Sequence, residues 1–159
     1  TDPLTQTLTQ TGLRSLMPSL GGIAQRVDDH ICVMYIDIDN LAQANSSYGA
    51  DYGDDVLRTV AQAIRDQVRV GDLVARWDGD EFLVAGIGQR ADAQTIADRV
   101  TNAVKVSGIN LGRWPTTVTV GTSAGAPSTT TFDALIAEAK AASTQDGGKV
   151  SPSDNFPPS

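Results

Sequence analysis

Two hydrophobic runs, Leu73 to Trp77 and Glu81 to Ile87, are separated only by Asp78, Gly79 and Asp80. An Asp-Gly step between such runs is a strong short-range hairpin signal, because the turn that suits twisted strands needs positive φ. The spacing predicts an antiparallel pair in the middle of the chain. Around it, helical and strand patterns alternate. Gly12 to Asp28 reads as a helix weakened by Pro18 and by Gly21 and Gly22. Ile31 to Asp37 is short, apolar and partly β-branched, as a buried strand is. Asp51 to Val70 is the best-marked helix, with Val56, Leu57, Val60, Ala61, Ile64 and Val68 recurring at spacings of three and four. Ala91 to Val106 is amphipathic on Ile96, Ala97, Val100, Ala103 and Val104; Gly108 to Pro115, with Arg113 and Trp114, reads as a surface loop; Thr116 to Ala124 alternates as a half-buried strand does; Phe132 to Thr144 is an Ala-rich helix. A hairpin among alternating helices and strands predicts a mixed sheet with helices packed on it.

At 159 residues the chain is long enough for one domain with its own core. It begins at Thr1, which reads as a domain cut from a longer protein with an upstream partner; Ser151 to Ser159 is Pro/Ser-rich and reads as a frayed tail. Cys32 is the only cysteine and His30 the only histidine, which excludes an intramolecular disulfide, a Cys-cluster zinc site and a multi-His metal site. Both read as packing or edge residues at the start of a strand. The apolar run Ile31 to Ile36 is far short of a membrane span, and there is no basic tract to grip nucleic acid. These features read as a soluble acidic domain of the cell interior, with net charge -7.

Most of that charge sits in one stretch. Residues 37–81 hold ten carboxylates (Asp37, Asp39, Asp51, Asp54, Asp55, Asp66, Asp72, Asp78, Asp80 and Glu81) against Arg58, Arg65, Arg69 and Arg76. The bland reading of these carboxylates is as solvated turn residues; it is preferred for Asp51, Asp55 and Asp66 and stands beside a functional one for Asp37 and Asp80. Asp37 ends an apolar strand, and Asp80 and Glu81 leave a tight turn. If that strand and the hairpin are neighbours, these carboxylates converge, and converging carboxylates share protons or hold a hard cation such as Mg²⁺.

The residues at these places resemble a known family. Tyr35-Ile36-Asp37-Ile38-Asp39, then Asn45, Tyr48-Gly49 and Gly53-Asp54-Asp55-Val56-Leu57, resemble the first signature of GGDEF domains. Arg76-Trp77-Asp78-Gly79-Asp80-Glu81-Phe82 resembles the motif that names the family, with Asp78 in place of its first Gly. Asp2-Pro3-Leu4-Thr5 is similar to the family's domain start, and Val118 to Ala124 to its late strand. The matches fall in one order between residue 2 and about residue 124, and the final helix is only loosely similar.

The resemblance implies a GGDEF-like domain over residues 1–150 and a flexible tail over 151–159. It implies an α/β (α+β) sandwich with a central, mostly antiparallel five-stranded sheet flanked by helices, as in the palm of nucleotidyl cyclases. It implies a cytoplasmic diguanylate cyclase that joins two GTP into cyclic di-GMP, across a homodimer under an upstream sensor. By the same resemblance Asp37 and Asp80 ligate Mg²⁺ with the Ile38 carbonyl. Glu81 completes the site, and either Asp80 or Glu81 assists deprotonation of the 3′-hydroxyl. Asn45 and Asp54 read the guanine edge, with Gly79 against the nucleotide. Arg69 and Asp72 form an inhibitory product site, joined by a second arginine for which Arg90 and Arg99 are the candidates.

The chain departs from the pattern where phosphate is gripped. Ala42 stands where the family has a lysine, and the last helix lacks the family's Gly-Arg-Asn. Lys140 fits one register of that helix; another places Asp146-Gly147 at its Ala-Lys step, with Lys149 as the substitute cation. Asp78 brings an anion near the phosphates unless it points outward as a turn residue. Trp77 reads as packing rather than a base-stacking platform. A weakened phosphate grip leaves an alternative function open: an impaired cyclase that serves as a receptor for cyclic di-GMP or GTP.

Overall fold

The computed structural model describes residues 1–109 and 115–149. The tail from Ser151, the Arg113 and Trp114 part of the loop expected over Gly108 to Pro115, and the side chains of Asp146 and Lys149 lie outside the described residues.

The elements in chain order are β1 (Leu8–Thr9), α1 (Gln10–Arg26), β2 (Ile31–Ile38), α2 (Leu41–Tyr48), α3 (Ala50–Gln67), β3 (Leu73–Asp78), β4 (Glu81–Ile87), α4 (Arg90–Ile109), β5 (Val118–Gly125) and α5 (Phe132–Lys149). The five strands form one sheet in the order β1-β3-β4-β2-β5. Among the described residues only the β1–β3 pair is parallel; β3–β4, β4–β2 and β2–β5 are antiparallel. The expected five-stranded, mostly antiparallel sheet with flanking helices is therefore present.

β2 lies inside the sheet, between β4 and β5, and both its faces are covered. Cys32, Met34, Ile36 and Ile38 pack with Tyr52, Val56, Val60 and Ile64 of α3 and with Ile96, Val100 and Val104 of α4. Ile31, Val33 and Tyr35 pack with Leu13, Met17 and Leu20 of α1 and with Leu135, Ile136 and Ala139 of α5. A strand sandwiched in this way must be apolar at consecutive positions, which explains the unbroken run from Ile31 to Ile36. α5 lies unusually close to β5. A Cβ on Gly121 would meet the Ala139 carbonyl and the Ser143 amide, so the helix rests on bare backbone there. Ser123 fixes the same contact by donating to the Leu135 carbonyl at 2.6 Å.

The expected first helix is present as α1, which contains Pro18, Gly21 and Gly22 and is capped by Thr9, whose hydroxyl accepts from the Gly12 amide. Other expectations are corrected. Gly108 belongs to α4 and is buried, so it is no part of a loop. β1 and α2 were not foreseen. β1 has two residues, too few for a period, and α2 buries only Leu41 and Ala44, too little for an apolar stripe. Gly49, at φ 93°, separates α2 from α3.

The hairpin is real, but its turn is Gly79–Asp80, and Gly79 does not take positive φ. A register shift between Arg76 and Asp78 supplies the local twist instead. Asp78 is exposed and accepts from the Gly79 amide at 2.8 Å, as a turn residue.

Candidate functional site

The β2–β4 register places Asp37 opposite Glu81. The Ile38 amide donates to the Asp80 carbonyl at 3.0 Å, which holds the hairpin turn against the end of β2. As a result one carboxylate oxygen from each of Asp37, Asp80 and Glu81 lies within 4.8 Å of the others. All three are partly exposed, so a solvated cation could reach them. The predicted convergence is present, and it follows from an extended strand end meeting a two-residue turn.

Three like charges this close disfavour full ionisation. Burial, followed by Asp80, Glu81 and Asp39, pushes the Asp37 carboxyl up to about 6, with Lys140 working in the opposite direction. Tyr35 stands two residues before Asp37 on the same face of β2. Its hydroxyl donates to Oε1 of Glu81 at 2.6 Å. Burial and this bond raise the tyrosine well above its ordinary value. The Lys140 ammonium stands 5.7 Å from the centre of the Tyr35 ring. Lys140 of α5 therefore stands over the ring whose hydroxyl reaches Glu81. Asp39 is not in the cluster: its two carboxylate oxygens accept from Thr117 at 2.7 Å and Thr119 at 2.8 Å, tying β2 to β5.

Asn45, near the end of α2, and Asp54, in the first turns of α3, are carried on two helices that pack together. The Asn45 side chain occupies the space a Cβ on Gly53 would need. Gly53 thus seats the Asn45 amide beside the residue that precedes Asp54.

Arg69 and Asp72 are far from this centre. They sit near Cys32 and Gly86, at the opposite end of β2, and Cys32 is five residues or about 16 Å of strand from Asp37. The pair is built in. Arg69 donates to Asp72 from its amide at 2.8 Å and from its guanidinium at 3.3 and 3.2 Å. The Asp72 side chain is 5% exposed, whereas that of Arg69 is 38% exposed. Burial works against the Arg69 charge, but the bonds and charge of Asp72 outweigh it and hold the guanidinium above its ordinary value. Gly86 leaves room for the pair: a Cβ there would collide with Asp72 and come within 3.0 Å of Arg69. A 190 Å³ cavity lies alongside, lined by Leu20, Arg69, Val70, Gly71, Asp72 and Ile87.

The remaining candidates have local partners. Arg90 donates to Thr122 at 3.3 Å and Arg99 to the Gln67 carbonyl at 2.8 Å. Trp77 packs edge-on against Phe132 and under Arg14, as a packing residue does. Cys32 is buried, with its thiol raised by that burial.

Fold and site together define a palm-like α/β domain with an acidic cluster where the central strand meets a hairpin. The family model described as "Diguanylate cyclase, GGDEF domain" matches residues 1–148, and the chain belongs to that family. Among curated proteins it is similar to diguanylate cyclase DosC of Escherichia coli K12, with 32% identity over 106 residues, 65% of this chain and 23% of that protein. The chain thus spans about a quarter of that relative's length. Among solved structures it is similar to diguanylate cyclase SiaD of Pseudomonas aeruginosa in complex with its activator SiaC. There the TM-score is 0.84 and the identity 27%, over 94% of this chain and 58% of that one. It is also similar to the GGDEF domain of PA1120 from the same organism, with TM-score 0.78 and 27% identity over 91% and 92% of the two chains.

Proposed function

We propose that this domain binds GTP with Mg²⁺ at the Asp37–Asp80–Glu81 end of the sheet. In a homodimer, each subunit presents one GTP for the synthesis of cyclic di-GMP with release of pyrophosphate. The observation that carries this reading is the approach of the three carboxylates to within 4.8 Å at a partly exposed edge. An all-oxygen, acidic donor set suits a hard divalent cation, and the Ile38 carbonyl is the candidate fourth ligand. When bound, Mg²⁺ supplies charge neutralisation for the triphosphate and polarisation of the attacking oxygen.

The chain's own residues do the rest. Asp54 accepts the paired N–H donors of guanine, and Asn45 offers both a donor and an acceptor to the same edge. Gly79 carries no side chain, and nothing lies within 4 Å of where its Cβ would be, so a nucleotide can approach the backbone. Lys140, held over Tyr35, is the cation best placed to meet phosphate in place of the lysine absent at Ala42. Asp80 or Glu81 accepts the 3′-hydroxyl proton. The domain works in the cytoplasm, where GTP is found, under a regulatory segment upstream.

Release of pyrophosphate from GTP by the chain, dimerised through a fused leucine zipper, tests the reading. Turnover that requires Mg²⁺ and is lost in Asp80→Asn supports it. A dimer that binds GTP and never turns it over contradicts catalysis.

The second reading is a receptor for cyclic di-GMP at Arg69 and Asp72. It is favoured by a preformed ion pair whose arginine keeps exposed surface beside a 190 Å³ cavity. Arginine in that setting pairs phosphate and stacks on guanine. In a working cyclase the same place serves as product inhibition. If the Ala42 and Asp78 departures silence turnover, it is the function that remains.

A further inference from the structure

The hydroxyl of Tyr35 touches one oxygen of Glu81 and leaves the other without that bond. Tyr35 is 2% exposed and fixed in the core between α1 and α5, so it cannot swing away at little cost. Its O–H···Oε1 distance of 2.6 Å is that of a charge-assisted bond to a carboxylate. Hydroxyl and carboxylate are brought together by the register: Asp37 opposes Glu81 and Tyr35 opposes Leu83, so Tyr35 and Glu81 are diagonal neighbours across β2 and β4. Glu81 therefore belongs to the acidic cluster with Oε1 already engaged by Tyr35 and Oε2 as the oxygen without that bond.

Number and geometry of oxygens are what separate Ca²⁺ from Mg²⁺. Calcium takes about six to eight oxygens and readily accepts a carboxylate through both of its atoms; magnesium needs near-octahedral geometry and takes carboxylates through one. We propose that Tyr35 is a metal-selectivity residue. By holding Oε1 of Glu81 it restricts that carboxylate to single-oxygen ligation, and so favours Mg²⁺ over Ca²⁺ at the cluster. Tyr35 is a positioning residue in this role, since it acts through Glu81 and not on the cation. The inference rests on the metal reading proposed above.

Calorimetric titration of the 159-residue chain with Mg²⁺ and with Ca²⁺ tests it, in the parent, in Tyr35→Phe and in Asp37→Asn. Phenylalanine keeps the ring under Lys140 and removes only the hydroxyl. The expected result is a rise of about fivefold or more in the ratio of Ca²⁺ to Mg²⁺ affinity in Tyr35→Phe, with both affinities lost in Asp37→Asn. A purely structural role would lower both affinities together and leave the ratio unmoved. An unchanged ratio with both ions bound overturns the role of Tyr35 and leaves the metal reading intact. No binding in the parent, or unaltered binding in Asp37→Asn, overturns the metal reading and this inference with it. Ultraviolet difference spectra of the parent give a second readout that needs no folded variant. Ca²⁺ competes with the Tyr35 hydroxyl for Oε1 and Mg²⁺ does not, so saturating Ca²⁺ should perturb tyrosine absorption more than saturating Mg²⁺, and equal perturbations contradict the proposal.

Discussion

The Asn45 side chain lies on the bare backbone of Gly53, where a Cβ would collide with its amide oxygen. The glycine leaves room for the amide where α2 and α3 pack together. Gly53→Ala separates packing from recognition. Alanine is the better helix former by about 1 kcal/mol, and Asn45 is exposed and free to swing outward, so stability should stay within roughly 1 kcal/mol of the parent. Affinity for a non-hydrolysable GTP analogue should fall about tenfold or more as the amide loses its seat. Thermal unfolding and calorimetry on the one variant check both halves.

The raised Asp37 carboxyl gives a pH signature to the metal-free domain. Its pKa of about 6 stands above the ordinary 3.8, so the folded chain holds this proton more tightly than the unfolded one. The stability gained is fully present below about pH 4, is lost as pH rises toward 6, and leaves the ionised group a net cost above that. The cost is at most about 3 kcal/mol, less after solvent screening of a partly exposed group. Asp37→Asn should therefore melt higher than the parent at pH 7.5 in chelator and level with it near pH 4. Millimolar Mg²⁺ should reverse the order at pH 7.5, because only the parent gains a ligand.

Gly86 is the position from which the Arg69–Asp72 pair can be disturbed without touching its exposed surface. In Gly86→Ala the new methyl displaces the Asp72 carboxylate, which is almost fully buried. Overpacking and a loosened buried acceptor together should cost about 1–3 kcal/mol. Cyclic di-GMP affinity should drop about tenfold or more, while GTP-analogue affinity, at the far end of β2, stays within about twofold. Loss of both ligands together would show that the two places are not independent.

Asp78 is exposed and, among the described residues, its side chain bonds within its own turn, at the Gly79 amide. Its effect on a triphosphate is then a through-solvent repulsion, which salt weakens. Asp78→Gly should raise GTP-analogue affinity by about three- to tenfold at low ionic strength and by much less at 0.5 M salt. A gain independent of salt would point to steric relief at the turn instead.

What the sequence made legible was whatever a short window records. β2 announced itself because both its faces are covered, and α3 because one face carries Val56, Val60 and Ile64 into the core. The convergence of Asp37 with Asp80 and Glu81 was readable from their places at element ends, given that the strand and hairpin are neighbours. β1 and α2 left too few apolar positions to register. The turn deceived for a specific reason: positive φ at Gly79 was expected, but the irregularity between Arg76 and Asp78 already twists the hairpin. The partnership of Tyr35 with Glu81 needed the β2–β4 register, which no local pattern gives; its one visible trace is that Tyr35 and Asp37 share a strand face. Lys140 could be placed only once Gly121 was seen to let α5 settle onto β5.

Calorimetric titration of the domain with a non-hydrolysable GTP analogue, with and without Mg²⁺ and in parent and Asp37→Asn, tests the central claim most directly. The account predicts one site per chain, with affinity at least about tenfold higher when Mg²⁺ is present, and with that increment abolished by Asp37→Asn. Binding that is indifferent to both Mg²⁺ and Asp37, or no binding at all, would contradict it.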